Sequence, residues 1–244
     1  MRKLKLTVQY DGTDFAGYQR QPNAATVQET LEDCLSRCLG HPVSLTAASR
    51  TDAGVHALGQ VVCLETEVGL PLSAAPTAFT SALPSSVAVI EAEEVDAAFH
   101  PRFDARGKQY VYRVVSRPVR SPFLGRYAWC VPYGLEPERM RAGAANVVGR
   151  RDFRSFCAAG GRTENAVRDV TRLDITCEGD LFEFRIEADG FLYKMVRNIV
   201  GTLVEVGRDR MAPEQVGRII EARDRRAAPP TAPPQGLCLV RVDY

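Results

Sequence analysis

The chain predicts an α+β fold built from two similar halves, and three observations carry that prediction. Leu4, Leu6, Val8 and Tyr10 alternate with Lys3, Lys5, Thr7 and Gln9, the period of a strand with one buried face. Val27, Leu31, Cys34, Leu35, Cys38 and Leu39 recur at helical spacing. Thr171–Cys177 and Leu181–Ala188 alternate again across Glu178-Gly179-Asp180, the pattern of a hairpin. Strands and helices interleaved in this way favour helices covering one face of a mainly antiparallel sheet.

The first strand stops at Asp11-Gly12. Thr26 and Glu29 form a capping box, in which hydroxyl and carboxylate satisfy each other's orphan N–H groups, and Gly40 ends the helix they start. Residues 43–48 and 60–66 read as strands flanking a loop, Arg50–Gly59. A helix of small residues around 72–83 and a strand around 86–95 complete the first half. The second half opens with a strand, Gln109–Ser116, in which Tyr110, Tyr112 and Val114 share a face. A helix around 136–148 follows, closed by Gly149, and then the hairpin. Tyr193–Val206 reads as a helix with Met195, Ile199, Val200 and Leu203 inward, and a short helix starts near Pro213. A loop with Pro229, Pro230, Pro233 and Pro234 leads into a last strand, Leu237–Val242. Both halves run approximately β-α-β-β-α-β, a duplication of element order with no sequence repeat behind it.

With 244 residues, 45% hydrophobic and 25% charged, the chain has ample apolar surface for a core and is not mainly disordered. No apolar run approaches the ~18 residues of a membrane span. Lys5 interrupts the N-terminus before an apolar signal region forms, so a cytoplasmic location is expected. Seven cysteines without a C-x-x-C pair suggest reduced thiols, with Cys34 and Cys38 read as small buried residues of the helix. Three histidines, dispersed as His41, His56 and His100, give no metal-ligand cluster. Nucleotide-binding, hydrolase-elbow and zinc-protease signatures are missing. A metal-free, cofactor-free enzyme or a binding module is left.

The densest polar loop is Ser49-Arg50-Thr51-Asp52-Ala53-Gly54-Val55-His56-Ala57. On spacing alone Asp52 is first a solvated loop carboxylate or an Asx-turn residue; the functional alternative is a nucleophile or general base held beside cations. Gly54 marks a positive φ or a close approach. The net charge of +1 gives no global argument for nucleic acid, but Phe99–Arg126 is locally basic. It holds Arg102, Arg106, Lys108, Arg113, Arg117, Arg120 and Arg126 against one acid, Asp104, with Tyr110 and Tyr112 among them. That mixture suits RNA, and suits a solvated strand with core tyrosines about as well. Arg197, among Met195, Val196, Ile199 and Val200, reads as snorkelling or as a surface ion pair.

Taken together, these residues resemble the tRNA pseudouridine synthase A family. Arg50-Thr51-Asp52-Ala53-Gly54-Val55-His56-Ala57 with Gly59-Gln60-Val61 is similar to its catalytic loop. Tyr10-Asp11-Gly12 with Phe15, Gly17 and Gln19 resembles its N-terminal motif. Phe99-His100-Pro101-Arg102-Phe103 with Lys108, Tyr110 and Tyr112 follows, then Asp152-Phe153 with Ser155-Phe156. Met195–Gly201 and Gly236-Leu237 with Leu239 complete the series in order along the chain. Ser49 stands where the family usually has Gly, and Tyr18 where Trp is common.

The resemblance implies the pseudouridine synthase fold, two α+β halves around a shared antiparallel sheet with the active site in the cleft between them. The halves are placed at 1–105, with the Asp52 loop, and 106–244, with Tyr110, the Arg197 helix and the C-terminal strand. It implies isomerisation of uridine to pseudouridine at positions 38, 39 and 40 of the tRNA anticodon arm by a homodimer, without cofactor or metal. Asp52 is then the nucleophile, and Arg197 the ion-pair partner that orients it. Tyr110 is the aromatic on which the extruded base stacks. Arg50 contacts the RNA, and Leu237 walls the pocket against water. A pseudouridine synthase for another RNA site and a non-catalytic RNA-binding relative remain as alternatives.

Overall fold

The computed structural model describes residues 1–160 and 164–244, which fall into two units: Met1–Arg106 with Cys238–Tyr244, and Gly107–Leu237. The first unit is organised on β1 (Arg2–Tyr10), whose alternation places Leu4, Leu6, Val8 and Tyr10 in the core. Its two edges pair antiparallel with β3 (His56–Thr66), Leu6 opposite Val62, and with β4 (Val87–Val95), Leu6 opposite Ala92. Between β1 and β3 the chain forms α1 (Val27–Leu39) and the two-residue β2 (Thr46–Ala47), and α2 (Ala75–Ser81) packs on β4.

Helix α1 starts as expected at Thr26, whose hydroxyl accepts the Glu29 N–H, and ends at Gly40 in the left-handed region, φ 71°. The capping box is half formed, because the Glu29 carboxylate is drawn to Arg20 instead. Cys34 is buried, but Cys38 lies on the solvent side.

The strands around the Arg50–Gly59 loop differ from expectation. Residues 43–48 contribute only β2, and β3 begins four residues before the expected 60, at His56, so the loop is shorter. Pairing explains the extension. Ala57 sits opposite Tyr10 on one edge, while His56 and Ala57 pair on the other with Cys238 and Leu239 of β10 (Leu237–Asp243), in parallel. The C-terminal strand, expected with the second half, therefore groups from Cys238 onward with the first unit. Arg106 N–H donates to Asp243 O, Tyr244 Oη donates to Pro101 O, and the Tyr244 ring lies 4.9 Å from Phe99.

In the second unit β5 (Gly107–Ser116) pairs antiparallel with β9 (Leu181–Ala188), which pairs with β8 (Val167–Glu178). Gly179 at φ 60° makes the expected hairpin turn. Tyr110, Tyr112 and Val114 of β5 are buried, and so are Val111 and Val115, so both faces of this strand are covered. Helices α3 (Pro137–Ala145), α4 (Met195–Gly207) and α5 (Gln215–Ala222) complete the unit, and α3 packs on α4 and α5. Two strands are additions to the sequence reading. The short β6 (Trp129–Val131) runs parallel to β5, and β7 (Gly149–Asp152) pairs antiparallel with β8. Gly149, read as a helix stop, has φ 104° and opens β7, four residues after α3 ends.

Each unit thus mixes helices with mainly antiparallel strands, the predicted α+β class. Among the described residues no helix is long and apolar enough to cross a membrane.

The register of β10 on β3 depends on Gly59, where a Cβ would lie 2.3 Å from Val240 O, a backbone atom without freedom to yield. Gly59→Ala should cost about 1–3 kcal/mol in urea unfolding and loosen amide exchange in Leu239–Val242. Gly40→Ala meets nothing within 4 Å and should cost only the left-handed strain, about 1 kcal/mol. Equal amide protection of β10 in both variants would refute this account.

Candidate active site

Asp52 lies half-buried on the stretch that joins β2 to β3. Its backbone is gripped by residues 10–18, the chain between β1 and α1. Tyr18 N–H donates to Thr51 O at 3.0 Å, Gly54 N–H to Phe15 O at 3.3 Å, and Val55 N–H to Asp52 O at 3.2 Å. Gly54 adopts φ 76°, the positive value its place in the loop suggested. The approach is so close that a Cβ at Gly12 would lie 2.0 Å from Val55 O. One at Gly17, φ 107°, would touch Thr51 O and Ala53 N. On the other side of the same segment, Val27 N–H and Gln28 N–H donate to Gly17 O and Tyr18 O, tying it to the first turn of α1.

His56, which carried no assignment in sequence, is a buried residue of β3 that joins the same clamp. Its Nδ1 accepts the Gly12 N–H at 3.1 Å and lies 3.2 Å from Asp11 Oδ1. Arg50, two residues before Asp52, is exposed. Tyr18 fills the core with its hydroxyl, which is buried without a hydrogen-bond partner among the described residues, and burial pushes that phenol well above its usual range.

The remaining three site candidates belong to the second unit. Tyr110 on β5 is 7% exposed, and Phe191 packs edge-to-face with it, ring centroids 5.1 Å apart, which fixes the plane of the ring. Arg197 is 9% exposed in the first turn of α4, so the surface-pair reading fails. The helix is buried along nearly its whole length.

Arg197 Nε donates to Ala232 O at 2.8 Å, and the Ala232 N–H returns a bond to Arg197 O. Ala232 lies in the proline-rich stretch, which is strapped across α4. Gly201 admits the Pro230 carbonyl to 2.4 Å of where a Cβ would sit. Arg225 donates to Ala228 O, Pro229 O, Thr231 Oγ1 and Asn198 Oδ1, and the Thr231 hydroxyl donates to Asn198 as well. Tyr112 Oη donates to Pro233 O, and Gly236 rests on the Tyr112 ring. Burial raises the Tyr112 phenol far above its usual range, against the opposing charge of Arg197, so it remains a donor. The strap delivers the chain to Leu237, itself 7% exposed. Sequence reading identified Arg197 and Leu237, and placed Asn198 in a motif without a role, but missed Arg225 and Ala232, whose contacts run largely through backbone carbonyls.

The basic stretch is partly neutralised. Arg113 pairs with Glu183 and Arg117 with Asp180, carboxylates of β9 and of the hairpin turn. Arg102, Arg106, Arg120 and Arg126 are exposed, as are the rings of Phe103 and Phe123. Among the described residues no group of three or more His, Cys, Asp or Glu is arranged to hold a metal ion.

Arg225→Ala removes the hub of the strap and leaves Asn198 and the Pro229 carbonyl short of donors. Bonds from a charged donor are worth on the order of 1.5–3 kcal/mol each. Amide exchange at Ala232 should therefore accelerate at least about tenfold while exchange in β8 and β9 is unchanged. Uniform acceleration across the unit would show a general loss of stability instead.

The sequence model of the family described as tRNA pseudouridine synthase matches residues 6–104 and 144–244. Proteins named tRNA pseudouridine synthase A align along essentially the whole chain. The one from Exiguobacterium sibiricum is 43% identical, over 100% of this chain and 97% of its own length. That from Moorella thermoacetica is 45% identical over 99% of each, and that from Myxococcus xanthus 45% over 100% and 92%. On these matches, the chain belongs to the tRNA pseudouridine synthase family.

Proposed function

We propose that the chain isomerises uridine to pseudouridine in the anticodon stem-loop of tRNA, at positions 38, 39 and 40, with Asp52 as nucleophile and no cofactor. The observation that carries this is the full-length likeness to tRNA pseudouridine synthases, with Asp52 on a loop gripped by backbone bonds from residues 12–18. The reaction breaks the N1–C1′ bond, turns the base and joins C5 to C1′. The base loses its C5 proton and gains one at N1, so substrate and product are isomers and no redox partner or phosphoryl donor enters the balance. A carboxylate serves three routes: attack at C1′, attack at C6, or removal of a sugar proton to give a glycal. Each requires the base outside its stack, and an aromatic face recovers part of the stacking lost.

In this reading Tyr110 supplies that face, held in plane by Phe191. Arg197 is the ion-pair partner of Asp52, its guanidinium steadied by Ala232 O. Arg50, exposed beside the nucleophile, meets the RNA, and Leu237 excludes water that would otherwise attack C1′ and release free base. The exposed pairs Arg102 with Phe103 and Arg120 with Phe123 offer charge and ring faces suited to RNA. The enzyme works as a homodimer in the cytoplasm. A purely RNA-binding role fits less well, since a carboxylate in the path of a polyanion opposes binding.

The deciding experiment follows tritium release from C5-labelled uridine in a tRNA transcript, in EDTA, with the modified positions mapped afterwards. Wild type should release tritium from the anticodon arm. Asp52→Asn should lose at least about a thousandfold in rate while tRNA Kd stays within a few-fold. Substantial residual release would remove Asp52 as nucleophile, and release from another arm would overturn the site assignment. Tyr110→Phe should retain base stacking, read by fluorescence of a 2-aminopurine placed beside the target, whereas Tyr110→Ala should lose it. Identical behaviour of the two variants would defeat the stacking role.

A further inference from the structure

We propose that Gln60 is a positioning residue for Asp52, acting through a hydrogen-bond relay across Tyr10 and Thr51. The proposal rests on Asp52 being the nucleophile. It starts where the catalytic loop leaves the sheet. On one edge of β3, β2 pairs at Val62 and Cys63, and β10 pairs at His56 and Ala57. The loop departs from the gap between them. Ala48 N–H still donates to Val61 O at 2.9 Å as a last backbone rung. At Ser49 the rung is made by a side chain: Gln60 Oε1 accepts the Ser49 N–H at 3.2 Å, and Gln60 Nε2 donates to Ser49 O at 2.8 Å.

Those two bonds permit only one orientation of the carboxamide, with nitrogen and oxygen fixed by the groups they face. The second Nε2 hydrogen is then directed at Tyr10 Oη, 3.4 Å away. The same phenol oxygen is hydrogen-bonded to Thr51 Oγ1, at 2.8 Å. Gln60, Tyr10 and Thr51 are thereby joined by side-chain hydrogen bonds into one buried chain. Gln60 is wholly buried, Tyr10 is 4% exposed and Thr51 8%. A polar chain so deep in a core is costly unless every member is satisfied, and in return it rigidifies what it touches.

What it touches is the residue before the nucleophile. Thr51 is held by its hydroxyl through Tyr10 and by its carbonyl through Tyr18 N–H, and Ser49 is held at both backbone groups by Gln60. Asp52 Cα is thus fixed from the N-terminal side at two successive alternate residues. An apolar core here would hold the sheet together equally well, but would leave the loop free to shift by the fraction of an ångström that matters for attack on carbon.

The test uses full-length enzyme and anticodon-arm tRNA in single-turnover tritium release, with tRNA Kd and thermal unfolding measured alongside. Tyr10→Phe, which keeps the ring, and Gln60→Ala should each slow the chemical step about 10- to 100-fold with Kd within twofold of wild type. The double variant should be no slower than the slower single, since both cut one relay. Thr51→Val should behave like Tyr10→Phe, and Thr51→Ser should recover most of the rate. Wild-type rates in folded variants, a loss in Kd instead of rate, or a loss that vanishes after correction for the folded fraction would each overturn the proposal. Asp52→Ala run in parallel separates the two claims. If it is inactive while the relay variants are not, positioning alone fails; if it is active, the nucleophile assignment fails.

Discussion

Contact between two stretches of bare backbone is the constraint on which the first unit's site depends. The segment from Gly12 to Tyr18 lies against the loop from Thr51 to Val55, closest at Gly12 and Gly17, and main-chain N–H groups of each donate to carbonyls of the other or of their own turn. A methyl group at Gly12 would overlap the Val55 carbonyl, so any residue with a Cβ would push the two stretches apart. The same segment is bonded on its far side to the first turn of α1. The Asp52 loop is consequently coupled to a helix and to two strands, although it belongs to none of them. A loop held this way avoids the usual weakness of loop-borne chemistry, which is positional freedom.

The second unit solves a comparable problem with a different device. Arg197 needs its guanidinium held on a helix whose Val196, Ile199 and Val200 are buried with it. A carbonyl at Nε satisfies one of its buried donors without burying a further charge there. The carbonyl comes from Ala232, and Ala232 is where it is because the strap is fixed at Gly201, at Arg225 and at the Tyr112 hydroxyl. Prolines suit the strap because their carbonyls still accept while their missing N–H groups leave no buried donor to satisfy. The Tyr112 phenol serves it as a permanent donor, since burial keeps its proton in place.

Elements with a strong period were legible in sequence: β1, α1, the β8–β9 hairpin and α4 appear within a few residues of where alternation or helical spacing put them. The failures have local causes. Three-residue β6 is too short for a period to register, and β7 carries Arg150 and Arg151 on a peripheral strand where polarity resembles a loop. The strand β3 extends back through His56 only because partners distant in sequence pair there, and no local signal announces a parallel partner from the C-terminus. In the site, residue identity told what each group could do, and Gly54 told something of the backbone. What holds them was not legible: Gln60 stood in the loop motif without a role, until its side chain is seen replacing a rung of the ladder.

Charge limits how such a chain can meet a polyanion. A formal charge of +1 spread evenly would give little attraction to a polyanion, so binding must depend on local surplus. The surplus is smaller than the sequence suggests, because Arg113 and Arg117 are committed to Glu183 and Asp180 within the second unit. Fewer phosphate contacts mean less counterion release and a shallower salt dependence than a broadly basic surface would give. Affinity for the proposed substrate must then come from matching an arm's shape and from stacking on an extruded base, both of which are lost on a wrong RNA. Under the proposed function, that division assigns the burden of selection to geometry more than to charge.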